Sequence, residues 1–210
     1  MPDAETSSPA LPVAPEATPA RKRPKPGERR VQILEALATM LEQPGSERIT
    51  TAALAARLEV SEAALYRHFA SKAQMFEGLI EFIEQSVFSL VNQIGEREAA
   101  GNAQAAKIVA MLLQFAEKNP GMTRVMVGDA LVFENERLQQ RMNQFFDKIE
   151  STLKQSLRGA ADGSATPTVD AQVRASLLTA FVVGRLQRFA RSGFKRVPSE
   201  HLEASLAKML

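Results

Sequence analysis

Residues 49–76 read Ile-Thr-Thr-Ala-Ala-Leu-Ala-Ala-Arg-Leu-Glu-Val-Ser-Glu-Ala-Ala-Leu-Tyr-Arg-His-Phe-Ala-Ser-Lys-Ala-Gln-Met-Phe, and this stretch decides the fold. Two short helical patterns flank a three-residue break, Glu59-Val60-Ser61, the proportions of a helix-turn-helix. Thr50 or Thr51 is placed to cap the first helix, which runs through Leu58. Ser61 is placed to cap the second, predicted from Glu62 to about Phe69, and Ser71 a long helix after it. Val60 and Leu65 are expected to pack inward and fix the angle between the two short helices. Small Ala63 and Ala64 let the second approach a groove wall closely. Ser61 and Glu62 stand at its N-terminus, where recognition helices of this motif meet base edges, and Tyr66, Arg67 and His68 supply donors one turn further on. Lys72 begins the next helix, where its charge and the helix N-terminus both suit a phosphate. The same spacing also suits an ordinary helical hairpin with a surface tyrosine and arginine.

Outward from this stretch the apolar periodicity is helical, with no strand-like alternation, so the predicted fold class is all-α, with about nine helices. Val31, Leu34, Ala38 and Leu41 mark a first helix. The helix that Ser71 caps runs from Lys72 to about Ile94. Asn102 precedes a fifth helix that stops at Asn119-Pro120-Gly121, and Met122 opens a sixth. Leu138, Met142, Phe145, Ile149, Leu153 and Leu157 recur at helical spacing in a seventh. Residues 159–168 read as a loop, Asp170 to about Arg191 as an eighth helix, and Pro198 to Leu210 as a ninth. Seven of the eleven prolines fall within residues 2–26. Residues 1–27 are therefore expected to be a disordered tail, without the apolar core of a signal peptide. Residues 28–71 are expected to form the helix-turn-helix unit and 72–210 a larger helical unit. Pro44, Pro120, Pro167 and Pro198 each mark a connection.

The 210 residues hold no cysteine and two histidines, His68 and His201. That combination excludes disulfide scaffolds, thiolate zinc sites, cysteine nucleophiles and multi-histidine metal centres. No Gly-rich phosphate loop or Gly-x-Ser-x-Gly elbow is present, so neither an enzyme nor a cofactor is expected. No apolar run approaches 18 residues, so no membrane span is expected. The net charge of +2 is unevenly spread. Residues 1–20 carry Asp3, Glu5 and Glu16 and no base; residues 21–72 carry ten bases against six acids. The densest basic run, Arg21-Lys22-Arg23-Pro24-Lys25, reads either as an arm on a phosphate backbone or as a solvated stretch.

Thr50-Thr51, Leu54-Ala55, Val60-Ser61, Leu65-Tyr66-Arg67-His68-Phe69 and Ser71-Lys72 together resemble the DNA-binding domain of the TetR family. The resemblance implies helices one to three as the DNA-binding unit and a larger domain that dimerises mainly through helices eight and nine. It places the Thr51, Tyr66 and Lys72 positions on phosphates and the first residues of the third helix on bases. Glu59 departs from the glycine usual in that turn, so a glutamate must accept the turn's backbone geometry. From Arg29 to Pro198 the chain further resembles the nucleoid-occlusion members of that family. Glu62–Phe69, Leu79–Glu84, Asn119-Pro120-Gly121 and Phe194-Lys195 are among the stretches that carry the likeness. This implies a nucleoid-associated cytoplasmic homodimer that binds palindromic double-stranded DNA, spreads to further dimers and contacts the tubulin-like division protein FtsZ, blocking Z-ring assembly.

On the fourth helix Phe76, Leu79, Ile80, Ile83, Val87, Leu90, Val91 and Ile94 share one apolar stripe. Phe82 lies about 120° from its centre. Outside the stripe and flanked by Glu81 and Glu84, Phe82 suits either a neighbouring helix or a partner peptide. With the resemblance it joins Lys118 and Asn119 as a partner-binding group. From Ala175 to Gly184 the eighth helix is apolar nearly all round, which suits a dimer interface or a central core helix. The alternative function is a ligand-responsive repressor of the same fold, with Leu112, Leu113, Phe115, Met126, Phe146, Leu178 and Phe181 lining a pocket rather than filling a core.

Overall fold

The structure, a computed structural model, describes residues 27–43, 49–158 and 166–210. The proline-rich tail with its basic arm, Pro44, and residues 159–165 of the expected loop lie outside the described residues. Among the described residues there are nine α-helices and no strand: α1 (Glu28–Leu41), α2 (Thr51–Arg57), α3 (Glu62–Tyr66), α4 (Lys72–Arg97), α5 (Asn102–Lys118), α6 (Pro120–Met126), α7 (Glu136–Arg158), α8 (Pro167–Arg191) and α9 (Leu202–Met209). A short 3-10 turn at Asp129–Leu131 joins α6 to α7.

The caps explain most of these boundaries. Thr50, Ser61 and Ser71 are extended, and their hydroxyls accept the Ala53, Ala64 and Gln74 N–H groups. Each therefore satisfies one of the N–H groups a helix start leaves unpaired. Helix α3 stops at Tyr66, earlier than the predicted Phe69, because the His68 and Phe69 N–H groups converge on the Leu65 carbonyl. That tight turn drives Phe69 into the core. Asn102 is the first residue of α5 rather than the residue before it. Pro120 begins α6, and Pro167 begins α8 three residues ahead of the predicted start. Proline suits a first helical position because it lacks the N–H that would be unpaired there. Helix α9 starts at Leu202 instead of Pro198, since His201 adopts a left-handed conformation and the Ser199 N–H donates to Glu117 Oε1 at 2.8 Å.

One continuous apolar core runs through both halves of the chain. Helix α4 buries Phe76, Leu79, Ile80, Ile83, Val87 and Val91. Its Leu90 is exposed and Ile94 only half-buried, unlike the predicted stripe; a hollow of about 660 Å³ opens near that end beside Val91 and Ile108. In α1 the buried stripe is Ile33, Leu37, Ala38 and Leu41, while Val31, on the far side, is exposed. Helix α7 packs along α8 and buries each of its six predicted apolar positions. Across α4 and α7, Arg141 holds Glu84 by a two-pronged contact, Nε to Oε1 at 3.1 Å and Nη2 to Oε2 at 2.6 Å. The hydrogen bond to Glu84 raises the Arg141 pKa above its ordinary value against the opposing effect of burial. Glu77 pairs with Arg137, two turns earlier on α4 and one turn earlier on α7.

Two glycines set how α1–α3 seats on the rest. A Cβ at Gly78 would lie 3.1 Å from the Phe69 ring and 3.3 Å from Leu34. A Cβ at Gly121 would fall far inside van der Waals contact with the Ala38 carbonyl, so α6 crosses α1 backbone against backbone. Gly121→Ala must push α6 off α1. The expected cost is at least about 2 kcal/mol, a fall in melting temperature of about 4–8 °C. Thermal unfolding followed by circular dichroism measures it, and an unchanged midpoint would mean that α1 and α6 separate freely.

Candidate nucleic-acid and partner interface

Helix α2 ends in a left-handed turn. Glu59 sits at φ +53°, its N–H donates to the Ala56 carbonyl, and the Val60 N–H reaches back to the Ala55 carbonyl. This is the Schellman pattern that glycine usually serves, and here a glutamate occupies the strained position. The turn aims α3 away from α2, with Leu65 fully buried and Val60 packed on the core.

The exposed face of the two helices carries a chain of hydroxyls. Thr51 Oγ1 donates to Glu62 Oε2 at 2.6 Å, and the Tyr66 hydroxyl lies 3.5 Å from Thr51 Oγ1. Thr51 therefore joins the two helices here, held by Glu62 on one side and beside the Tyr66 hydroxyl on the other. Thr50 and Ser61 use their oxygens as caps, which leaves each hydroxyl proton free to donate outward. Ala63 and Arg67 are exposed, and His68 is half-buried. The His68 carbonyl accepts from the Arg30 guanidinium, which also lies 4.1 Å over the Phe69 ring. Arg30 thus braces the end of α3 from α1, a role that no motif in the sequence signals.

Lys72, the first residue of α4, is close to this face but already paired. Its Nζ binds Glu134 Oε1 and lies 5.7 Å from the Phe76 ring centre. Glu134 lies 62 positions away, so no local spacing reveals the pair. The residues before it, Val132 and Phe133, are exposed.

The second group of predicted residues lies on α4 and at the α5–α6 junction. Phe82 is 46% exposed, outside the core stripe. Lys118 is exposed at the last turn of α5. The Asn119 side chain donates to the Phe115 carbonyl at 2.7 Å, and its own carbonyl starts α6 by accepting from Thr123. On α8, Val169, Val173 and Leu177 form an exposed apolar row at four-residue spacing, on one side of the helix. Farther along α8, a Cβ at Gly184 would meet nothing within 4 Å. The row begins well before the all-apolar stretch at Ala175, and the four-residue spacing was the signal for it.

The seven apolar residues that would have lined a ligand pocket behave as core. Leu112, Leu113, Met126 and Leu178 are buried, and Phe115, Phe146 and Phe181 pack against them half-buried. None of the seven lines the hollow beside Val91. Among the described residues no group of three or more histidine, aspartate or glutamate side chains is placed to hold a metal ion, and no helix is long and apolar enough to cross a membrane.

Residues 33–79 match the model of bacterial regulatory proteins of the TetR family, and residues 102–209 match that of the tetracyclin-repressor-like C-terminal domain of SlmA-like proteins. The nucleoid occlusion factor SlmA of Idiomarina loihiensis is 52% identical over 177 residues, covering 84% of this chain and 90% of that protein. SlmA of Aliivibrio fischeri is 53% identical over 181 residues, covering 85% and 92%. The chain belongs to the SlmA family of nucleoid occlusion factors. SlmA proteins are TetR-type DNA-binding proteins of cell division rather than enzymes, and regulators of the TetR type are typically dimers. The fold is also that of a TetR-family transcriptional regulator from Bordetella parapertussis, with a TM-score of 0.70, 17% identity and coverage of 88% of this chain and 95% of that one.

Glu59→Gly relieves the left-handed strain and is expected to stabilise this SlmA-family chain by about 1 kcal/mol, raising its melting temperature by about 2–4 °C. An unchanged or lower midpoint would show that the contacts of the glutamate side chain outweigh the strain.

Proposed function

We propose that the chain is a homodimer that occupies palindromic sites on the chromosome, in the cytoplasm, and from there contacts FtsZ to block Z-ring assembly over the nucleoid. It works by binding alone, with no catalytic step, cofactor or metal. Residues 28–71 form the DNA-binding unit and 72–210 the dimerisation and partner unit. The observation that carries this reading is the high identity to SlmA over most of the chain, together with an exposed Phe82 outside the α4 core stripe.

Thr50, Thr51, Tyr66 and Lys72 hold phosphates, which sets register without reading sequence; Thr51 does so by turning its one hydroxyl proton from Glu62 to the phosphate. Ser61, Glu62 and Ala63 at the start of α3, with Arg67 and His68 beyond, meet the groove. For Lys72 to serve a phosphate it exchanges one anion, Glu134, for another. The apolar row on α8 supports dimerisation, since Val169, Val173 and Leu177 leave water only when a second copy covers them. A two-fold axis then sets two α3 helices about one DNA turn apart. Phe82 is the apolar anchor for FtsZ, with Lys118 and Asn119 as polar contacts.

Lys72→Ala is expected to weaken binding about equally for all DNA sequences and to reduce the slope of log affinity against log salt by about 1. An unaltered slope in a salt titration would take Lys72 off the phosphates. Phe82→Ala is expected to leave DNA affinity unchanged and to lower co-sedimentation with FtsZ polymers by at least tenfold in affinity, as for a buried aromatic anchor. Co-sedimentation equal to that of the unaltered chain would remove Phe82 from the contact.

A further inference from the structure

The C-terminal end of α8 and the segment leading to α9 gather positive charge. Between Arg185 and Glu200 the sequence holds Arg185, Arg188, Arg191, Lys195 and Arg196 against Glu200 alone. Three of these, Arg185, Arg188 and Arg196, line a hollow of about 80 Å³ with Val197, Pro198 and Glu200. Arg185 lies with its guanidinium 4.9 Å over the Phe181 ring and Nη2 3.5 Å from Ser205 Oγ. Among the described residues no carboxylate lies within ion-pair distance of any of the three. Three arginines against the one carboxylate of Glu200 leave the lining of this hollow with a positive excess that attracts an anion. Their planar forks match a carboxylate in a two-pronged contact.

The position of the hollow indicates whose carboxylate it takes. Ser199 is hydrogen-bonded to Glu117, and Arg124 of α6 lies 5.3 Å over the Phe194 ring. The hollow therefore adjoins the α5–α6 junction that carries Lys118 and Asn119. A DNA backbone fits it poorly. The site is a small concave hollow that admits a single side chain rather than a continuous phosphate backbone, and it is not on α2 or α3. Val197, 47% exposed on the same wall, offers an apolar seat next to the cations.

We propose that this hollow is a carboxylate pocket that takes an acidic side chain of a peptide segment of the protein partner, with Val197 under an adjacent aliphatic residue. As a contact for FtsZ it rests on the reading given under Proposed function; as a pocket for acidic peptides it stands without it. The test uses the full chain and the Arg188→Gln/Arg196→Gln variant. The probes are a fluorescently labelled peptide of alternating aspartate and leucine, FtsZ polymers, and palindromic DNA. The variant is expected to bind the peptide about tenfold more weakly for each arginine lost, with DNA affinity within about twofold of the parent and its mass in light scattering unchanged. Arg188→Lys/Arg196→Lys keeps the charge without the fork and is expected to recover only part of the loss. If FtsZ fails to bind the unaltered chain while the acidic peptide binds and the variant loses it, the FtsZ reading falls and the pocket stands. Equal peptide binding by parent and variant overturns the pocket. So does a loss of DNA affinity with peptide binding intact, or a fall of the variant to half the parent's mass, which would make the hollow a contact between subunits.

Discussion

The chain is organised around one unbroken helix. Helix α4 packs on α1 and on α5 and α7, and the apolar core follows it from one to the other. Five of its side chains, Phe76, Leu79, Ile80, Ile83 and Val87, are essentially fully buried. At about 2 kcal/mol for each, they account for about 10 kcal/mol of burial. That is as large as the whole net stability of an ordinary domain. A break in α4 would not create a hinge between two stable bodies; it would remove the core that both share.

The α1–α3 unit depends on this arrangement because it is small. The buried residues of its three helices, Ile33, Leu37, Leu54 and Leu65 among them, belong to the same core as those of α4, and units of this size seldom bury enough surface to be stable alone. Phe69 and Leu34 are completed by the bare backbone at Gly78, and the Lys72–Glu134 pair ties the start of α4 to the segment before α7. The spacing of the hydroxyl and cationic groups on α2, α3 and the start of α4 is consequently fixed in part by residues far from them.

Local chemistry was readable from the residues; distant pairing was not. The helix starts at Thr50, Ser61 and Ser71 follow from cap chemistry within three residues, and the stripes of α4 and α7 follow from the helical repeat. The strained glutamate at the turn was also visible, since the turn geometry demands a residue that tolerates positive φ. Misread boundaries have tertiary causes. Helix α3 closes early because Phe69 has to reach the core, and α9 starts late because Glu117 captures Ser199. The sequence-predicted DNA and partner residues are exposed or half-buried, but their engagements were hidden. Arg30 bracing His68, and Glu134 holding Lys72, join positions 38 and 62 residues apart, and no periodicity encodes such distances.

The close crossing at Gly121 has a mechanical meaning. Helices packed through side chains have some give, because rotamers shift and a layer of methyl groups can be compressed by a few tenths of an ångström. Where α6 meets α1 there is no such layer. The two main chains form a hard stop, into which α1 cannot sink. Helix α1, which carries the Arg30 brace on the end of α3, is thus seated on the first turn of α6, next to Asn119, with no compressible layer at the crossing.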